Sequence, residues 1–245
     1  MKVALITGAS RGLGAEIARQ LGAIGWAIAV NCSKDVVGAE STVSQICSIG
    51  GRAIVARFDV TDREQVKRGL ADISERLGPI DLVVNNATGP QPILPLHLQT
   101  WEHYLEQMTF FVAAPLFILH ELLADWRSRK SGRIINIGSE VVNTGSPNFG
   151  HYVTAKAAMV GMTRSWATEL GRDNITVNLV APGWTPVERH SDATLLELES
   201  YKKLVPLGKM GTPSDIASLV AYLASPAADF ITGQTFSVNG GRTLA

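Results

Sequence analysis

Short apolar runs rich in β-branched residues alternate along this chain with longer stretches in which apolar residues recur every three to four positions. The short runs predict strands at Val3–Thr7, Ala27–Asn31, Ala53–Phe58, Leu82–Asn85, Arg133–Gly138, Thr176–Val180 and Thr235–Val238. Several are apolar on both alternating faces, as in Val3-Ala4-Leu5-Ile6 and Ile134-Ile135-Asn136-Ile137. That is the pattern of a parallel sheet covered on both sides. The longer stretches predict helices over 12–24, 36–49, 62–77, 100–129, 152–171 and 213–224. Thr61-Asp62-Arg63-Glu64 and Thr212-Pro213-Ser214-Asp215 read as helix starts, while Gly50-Gly51, Gly78-Pro79 and Gly171 read as stops. Pro115, inside the 100–129 pattern, should remove a helix hydrogen bond and kink it.

Strand and helix alternate about six times. This implies an α/β fold: a doubly wound (Rossmann) parallel sheet of about seven strands with helices on both faces, in a single domain spanning 1–245. The irregular stretch 184–211 interrupts the alternation and carries Leu195-Leu196-Glu197-Leu198-Glu199, which reads as a short helix in a substrate lid.

Composition narrows the function classes. The 245 residues are 46% hydrophobic and 18% charged, which excludes disorder for the bulk of the chain. Lys+Arg and Asp+Glu both number 22, so no global field attracts nucleic acid or an anionic membrane. Two cysteines, Cys32 and Cys47, make neither a disulfide framework nor a zinc cluster, and the five histidines show no ligand spacing, so no metal is expected. The apolar run at Met1–Ile6 is too short for a signal peptide, and the stretch Met108–Leu119 falls short of the roughly 18 residues a membrane span needs. A cytoplasmic location with no membrane partner follows as the expectation.

The first strand runs directly into Thr7-Gly8-Ala9-Ser10-Arg11-Gly12-Leu13-Gly14, which opens the first helix. Glycines there permit positive φ and close approach of a pyrophosphate, and the helix start offers unbonded N–H groups. In many dinucleotide sites an acid at the tip of the second strand holds the ribose hydroxyls. Here that strand ends Val30-Asn31-Cys32-Ser33-Lys34, with Asp35 only afterwards. Asn31, Ser33, Lys34 and Arg11 would accommodate a 2′-phosphate, which favours NADP(H) over NAD(H).

Tyr152 and Lys156 are four apart at the start of a helical pattern, so both lie on one face. An ammonium beside a phenol favours the phenolate and draws its pKa down from about 10 towards the range where a general acid works. Ser139 follows the fifth strand at the edge where doubly wound sheets place their crevice, and its hydroxyl could hold a substrate carbonyl. Asn85-Asn86-Ala87 and Pro182-Gly183 end neighbouring strands on that edge.

Taken in order and spacing, these motifs resemble the short-chain dehydrogenase/reductase family, and within it the 3-oxoacyl-(acyl carrier protein) reductases. The likeness covers essentially the whole length and includes Asp59-Val60 and the ending Val238-Asn239-Gly240-Gly241. It implies that Tyr152 donates a proton, Lys156 holds the nicotinamide ribose and Ser139 orients the carbonyl. It also implies that Gly8, Ser10, Arg11, Gly12, Leu13 and Gly14 cradle the pyrophosphate, Asp59 and Val60 the adenine, Asn86 and Ala87 the adenosine-side ribose region, and Pro182, Gly183 and Thr185 the nicotinamide side. The family usually forms tetramers through two helices. A homotetramer is therefore expected, and the stripe Met159, Met162, Trp166 and Leu170 suits either that interface or the monomer core.

The chain departs from the family at three places. An asparagine expected seven residues after Trp101, which serves the lysine as part of a proton relay, is replaced by Met108; Gln107 lies about 100° away on the helix. Thr88 stands where glycine is usual and could narrow the nicotinamide pocket. Trp184 either walls the cleft or packs under the lid. The small basic group Arg127, Arg129, Lys130 and Arg172 could dock an acidic carrier protein or could simply complement helix ends. His151, beside Tyr152, could line the cleft, but a place at the surface or behind the site is expected. The expected activity is NADPH-dependent reduction of a small or carrier-bound ketone such as a 3-oxoacyl thioester. The alternatives are an NAD(P)-dependent dehydrogenase of a sugar or other secondary alcohol, and a nucleotide-binding regulatory protein without turnover.

Overall fold

The computed structural model describes residues 1–244, the side chain of Arg189 aside; Ala245, the last residue of the expected domain, lies outside the described residues. Seven strands form one parallel sheet: β1 (Val3–Ile6), β2 (Ala27–Cys32), β3 (Arg52–Arg57), β4 (Ile80–Asn85), β5 (Gly132–Ile137), β6 (Ile175–Pro182) and β7 (Thr235–Val238). Their order is β3-β2-β1-β4-β5-β6-β7. The order reverses direction between β1 and β4, where register pairs Ile6 with Val84. Chain connections diverge there, which opens a crevice at the carboxyl ends of the strands.

Nine helices accompany the sheet among the described residues: α1 (Gly12–Ala23), α2 (Val36–Ser48), α3 (Arg63–Leu77), α4 (Trp101–Met108), α5 (Ala114–Arg129), α6 (Val141–Thr144), α7 (Gly150–Leu170), α8 (Leu195–Lys202) and α9 (Pro213–Ala224). One core joins Leu5, Val83 and Ile134 of the sheet to Val66, Ile73, Ile118 and Leu170. The other joins Ile6, Ile28 and Val84 to Ile17, Leu21, Ile46 and Val220. Alternate residues of each strand thus feed opposite cores, which is why the strands are apolar on both faces.

The single helix expected over 100–129 is divided. A π-helical turn at Thr109–Ala113 joins α4 to α5. Pro115 lacks an N–H, and its ring would strike the carbonyl of Phe111 in a regular helix; the wider turn accommodates both. The run Trp101–Arg129 is long and apolar enough to cross a membrane by length and composition. Part of its apolarity serves the fold: Phe111, Ala114, Ile118, Leu122 and Trp126 are buried, while Trp101 and Leu105 are exposed. Trp126 donates its Nε1–H to the Ile80 carbonyl at 2.7 Å. A Cβ on Gly132 would lie 2.4 Å from the Trp126 ring, so only glycine lets β5 start there.

Polar groups inside the sheet are paired across elements. Asn85 donates to Asn136 Oδ1 at 2.8 Å, and Asn136 donates to Thr163 Oγ1 at 2.9 Å, linking β4, β5 and α7. At the opposite, amino-terminal edge of the sheet, Asp173 accepts from Arg127 at 3.1 Å and from Lys130 at 2.5 Å. These cations hold the Asp173 carboxyl below its ordinary range. A depressed folded-state pKa stabilises above the unfolded value, about 3.9, and that stabilisation is lost as pH falls through the folded value. Asp173→Asn should therefore lower the melting temperature at pH 7, with the gap to the wild type closing below about pH 4. Thermal melts across that range test this; an equal gap at pH 3 and pH 7 would contradict it.

Candidate active site

The crevice is built first from backbone. Gly8 and Gly12 adopt φ of +62° and +59°, conformations costly for other residues. A Cβ on Gly14 would lie 2.4 Å from the Gly8 carbonyl oxygen and 2.5 Å from Asn86 Nδ2. The loop is thus folded tightly against the end of β4. Asn86 makes that clamp: its amide donates to the carbonyls of Thr7 at 2.9 Å and Gly8 at 3.0 Å. Thr7 Oγ1 accepts from the backbone N–H of Asn86 and of Ala87, both at 2.9 Å. Beside this loop, α1 begins after Arg11 with no side-chain cap and no acid in its first turn, whereas α3, α8 and α9 are capped by Asp62, Thr194 and Thr212. Uncapped N–H groups and a glycine cradle fit a pyrophosphate. A cleft of about 320 Å³ continues from Gly12, Glu16 and Arg19 to Pro186, Val187 and Glu188.

At the β2 tip, Ser33 and Lys34 are exposed, as is Arg11 on the neighbouring loop. Asp35 is turned to other work: its carboxylate accepts from Gly38 N–H at 3.0 Å as the cap of α2. The expectation that Asn31 offers its side chain to a 2′-phosphate gives way. Asn31 is buried, donates to the carbonyls of Ala56 and Phe58 at 3.1 and 3.0 Å, and accepts from Gly8 N–H at 3.2 Å. It ties β2 to β3 and to the glycine loop. Asp59 closes a local turn, accepting from Thr61 N–H at 2.9 Å, while Val60 is buried in the core. Ser10 and Leu13 are half-buried in the loop.

On the other side of the crevice, α7 presents Tyr152 and Lys156. Lys156 Nζ donates to the Ile137 carbonyl at 2.6 Å, which fixes α7 to the end of β5 two residues before Ser139. The same ammonium lies 3.7 Å from the centre of the Phe111 ring, a close cation–π contact. Tyr152 is set between aromatic rings, stacked on Phe149 at 4.5 Å and edge-on to Phe111 at 5.5 Å. Ser139 is half-buried and its Oγ accepts from Val141 N–H at 3.4 Å. Pro182 and Gly183 continue from β6 beside it, and Thr185 is buried with its hydroxyl donating to the Gly183 carbonyl at 3.3 Å. Phenol, ammonium and hydroxyl therefore gather at one edge, next to a cradle for phosphates. That arrangement can position a carbonyl, donate a proton to it and hold a dinucleotide.

The likeness to known proteins follows this geometry. A family model described as enoyl-(acyl carrier protein) reductase matches residues 8–243. The 3-oxoacyl-(acyl carrier protein) reductase of Staphylococcus aureus is 37% identical over 243 residues, covering 98% of this chain and 97% of that protein. The corresponding Haemophilus influenzae protein is 36% identical over 244 residues, 100% and 99% of the two chains. Among solved structures, an angucycline C-6 ketoreductase with bound NADP superposes with a TM-score of 0.91 at 33% identity, covering 100% of this chain and 96% of that one. The chain belongs to the short-chain dehydrogenase/reductase family.

In this short-chain dehydrogenase/reductase the lysine has an aromatic neighbour. Met108, the position reached by counting from Trp101, packs half-buried in the apolar cluster of Tyr152 and Met159, and the ring over the Lys156 ammonium is that of Phe111, three residues later. Gln107 is buried and donates to the Pro90 carbonyl at 2.7 Å, so its amide is directed into the 88–95 loop. Thr88 is exposed and hydrogen-bonded to Gln91 within the same loop. Trp184 packs under the lid, edge-on to Tyr201 at 5.4 Å. His151 is fully buried, not at the surface, and burial pushes its pKa down. Of the proposed interface stripe, Met159 and Leu170 are buried in the monomer, with Met162 and Trp166 packed beside them. Arg127, Arg129 and Lys130 are ion-paired with Asp81, Asp125, Glu169 and Asp173, at the sheet edge opposite the site. Glu140 and Arg242 are residues that pattern reading did not single out. They are buried or half-buried beside Ser139, and a charged residue directly after the serine was the available signal.

Two substitutions probe this site. Gly14→Ala should displace the loop and weaken dinucleotide binding roughly tenfold or more, as a loss of about 1.4 kcal/mol suffices; titration calorimetry would read it, and affinity within twofold of wild type would remove the cradle argument. Phe111→Leu removes the π face over Lys156, a contact worth about 2 kcal/mol when desolvated, so turnover should fall about 10- to 30-fold with dinucleotide affinity retained. Unchanged turnover would reduce Phe111 to packing.

Proposed function

We propose that the protein reduces a ketone with NADPH, and that its substrate is a 3-oxoacyl thioester converted to the 3-hydroxyacyl thioester. The observation that supports this most is Lys156 pinned to the Ile137 carbonyl at 2.6 Å, one helical turn from Tyr152 and two residues of strand end from Ser139. NADPH, when bound, supplies the hydride for the carbonyl carbon. Its pyrophosphate would lie over Gly8, Ser10, Arg11, Gly12, Leu13 and Gly14, its 2′-phosphate near Arg11, Ser33 and Lys34, and its adenine by Asp59 and Val60. Asn86 supports the loop beside Ala87, and Pro182, Gly183 and Thr185 border the nicotinamide end. Support for NADPH comes from the absence of a carboxylate at the β2 tip, since Asp35 is engaged three residues on in capping α2. Two solved relatives at 33% and 34% identity carry NADP or NADPH.

In the reaction Ser139 donates a hydrogen bond to the substrate carbonyl oxygen, holding the carbon open to attack. Tyr152 passes its phenolic proton to that oxygen as negative charge develops there. Lys156 stabilises the phenolate left behind, and its bond to Ile137 keeps the ammonium in place. The thioester rests on the 3-oxoacyl-(acyl carrier protein) reductases at 35–37% identity. Acyl carrier protein is thus the proposed carrier. Of the basic group, Arg127, Arg129 and Lys130 are ion-paired at the sheet edge away from the site, and Arg172 is exposed beside them, which favours the reading that these cations complement helix ends.

The same reading carries a cytoplasmic location and a homotetramer. The helix face available for assembly is the outward one of α7, with Thr154, Ala157, Gly161, Ser165 and Thr168 exposed, together with exposed Trp101 and Leu105 of α4. The family description names enoyl reduction instead. A serine hydroxyl and a phenol on the same edge of the sheet support ketone reduction, and the assay separates the two. Following NADPH oxidation with acetoacetyl, crotonyl and plain ketone substrates should show turnover of the acetoacetyl thioester. Tyr152→Phe should lose at least about a hundredfold of that rate, the usual contribution of a positioned general acid, while still binding NADPH. Turnover of crotonyl thioester alone, or full activity of Tyr152→Phe, would overturn the proposal.

A further inference from the structure

Three separate segments meet at Glu140, the residue directly after Ser139. Its carboxylate is 3% exposed. Oε1 accepts from the Tyr201 phenol of α8 at 2.6 Å and from Arg242 of the C-terminal tail at 2.7 Å. Tyr201 in turn accepts from the Trp184 N–H at 2.7 Å, at the first residue of the lid, and Arg242 stacks 4.8 Å over the Tyr201 ring. The Glu140 backbone N–H donates to the Pro182 carbonyl at 3.0 Å. Gly183 is fitted to this contact, since a Cβ there would lie 2.6 Å from the Tyr201 hydroxyl. The far end of the lid meets the same tail: Leu207 N–H donates to the Gly240 carbonyl at 3.1 Å.

We infer that Glu140 is a positioning residue, the buried anchor that holds the lid, through Tyr201 and Arg242, in fixed relation to Ser139 and to the Pro182–Gly183 edge. The inference rests on the reductase reading only in assigning the lid to the substrate. A buried carboxylate is costly unless it is paired and hydrogen-bonded. Lifting α8 takes away the Tyr201 donor, so the docked lid is the arrangement in which that charge is best satisfied. Burial and the neighbouring carboxylate push the Tyr201 phenol up to about 12, which keeps it a donor at neutral pH. Glu140 Oε2 has no partner among the described residues. The carboxylate is therefore held on one oxygen by two donors, one from the lid and one from the tail, an arrangement that secures position more than stability. Because the same residue carries Ser139 on one side and bonds Pro182 on the other, the lid's footing and the carbonyl-holding hydroxyl are set by one group.

The test uses the full-length protein as Glu140→Gln, Tyr201→Phe, Arg242→Gln, Arg242→Lys and the Glu140→Gln/Tyr201→Phe double variant. Amide hydrogen exchange across 184–207 and the KM and kcat for acetoacetyl thioester are measured on each. The single variants should speed exchange in 184–207 by roughly tenfold, with exchange in β1 and β4 unchanged, as expected for loss of about 1.4 kcal/mol of local closure. KM should rise about fivefold or more with kcat changed far less, and Arg242→Lys should restore part of the loss, as the kept charge predicts. The double variant should match the larger single effect, as for residues acting through one contact. Lid exchange at the wild-type rate in both Tyr201→Phe and Arg242→Gln, uniform acceleration through the whole sheet, or additive effects in the double variant would each overturn the anchor. Should Glu140→Gln fail to fold, Tyr201→Phe and Arg242→Gln still decide. The exchange measurement needs no turnover, so a wild type inactive on every carbonyl would defeat the reductase reading and leave this inference to be judged by exchange alone.

Discussion

The bond from Lys156 Nζ to the Ile137 carbonyl is the constraint on which the site depends. It crosses from the middle of a sheet-packed helix to the last residue of a central strand, and it does so inside the protein, where a charge-assisted bond is strong and its loss leaves a buried cation without that acceptor. Both ends are held independently. Ile137 is fixed by β6 through its register with Val180, and α7 by Ala155, Met159 and Thr163 packed inward. Neither element can slide without breaking the bond. The side chains flanking it, Ser139 on the strand end and Tyr152 one turn up the helix, inherit their relative placement from that single link.

The lysine also faces a ring. Phe111 covers one side of the ammonium at 3.7 Å, and the π turn that delivers Phe111 arises next to Pro115. These observations belong together. A regular helix would drive the proline ring into the Phe111 carbonyl, so the backbone widens at this turn. A π face attracts the cation while excluding water from it. The apolar ring and the Ile137 carbonyl together hold the ammonium from two directions.

Much of this was legible in the residues, for reasons that differ from element to element. The strands could be read because a sheet buried on both faces leaves little choice of residue, and Val3-Ala4-Leu5-Ile6 is apolar at every position. The glycine loop was legible because Gly8, Gly12 and Gly14 answer backbone demands that no other residue meets cheaply. Asn31 was misjudged as a ligand for a 2′-phosphate, because a polar residue at a strand end can turn outward or inward. Only its pairing beside Ala56 reveals that the amide serves the β3 carbonyls. The count from Trp101 marked Met108 as an apolar stand-in for an asparagine, but carried no sign that Phe111 would face Lys156. Counting assumes uniform helical geometry, and the π turn is a departure that sequence spacing does not carry. The meeting of Glu140, Tyr201 and Arg242 joins positions up to 102 residues apart, so no local pattern could announce it.

Two phenols border this crevice with neighbours of opposite charge. Tyr201 gives its proton to a carboxylate in a buried contact, and burial together with that negative neighbour raises its pKa to about 12, so it serves as a fixed donor. Tyr152 lies one helical turn from Lys156, whose ammonium stands 5.6 Å from the centre of the Tyr152 ring. Glu140, directly after Ser139, is buried where an unpaired carboxylate would be costly. Arg242, at 2.7 Å from the carboxylate, partners that charge. The guanidinium therefore joins the tail to the residue on which Tyr201 of α8 also rests, so one buried charge ties three distant segments together.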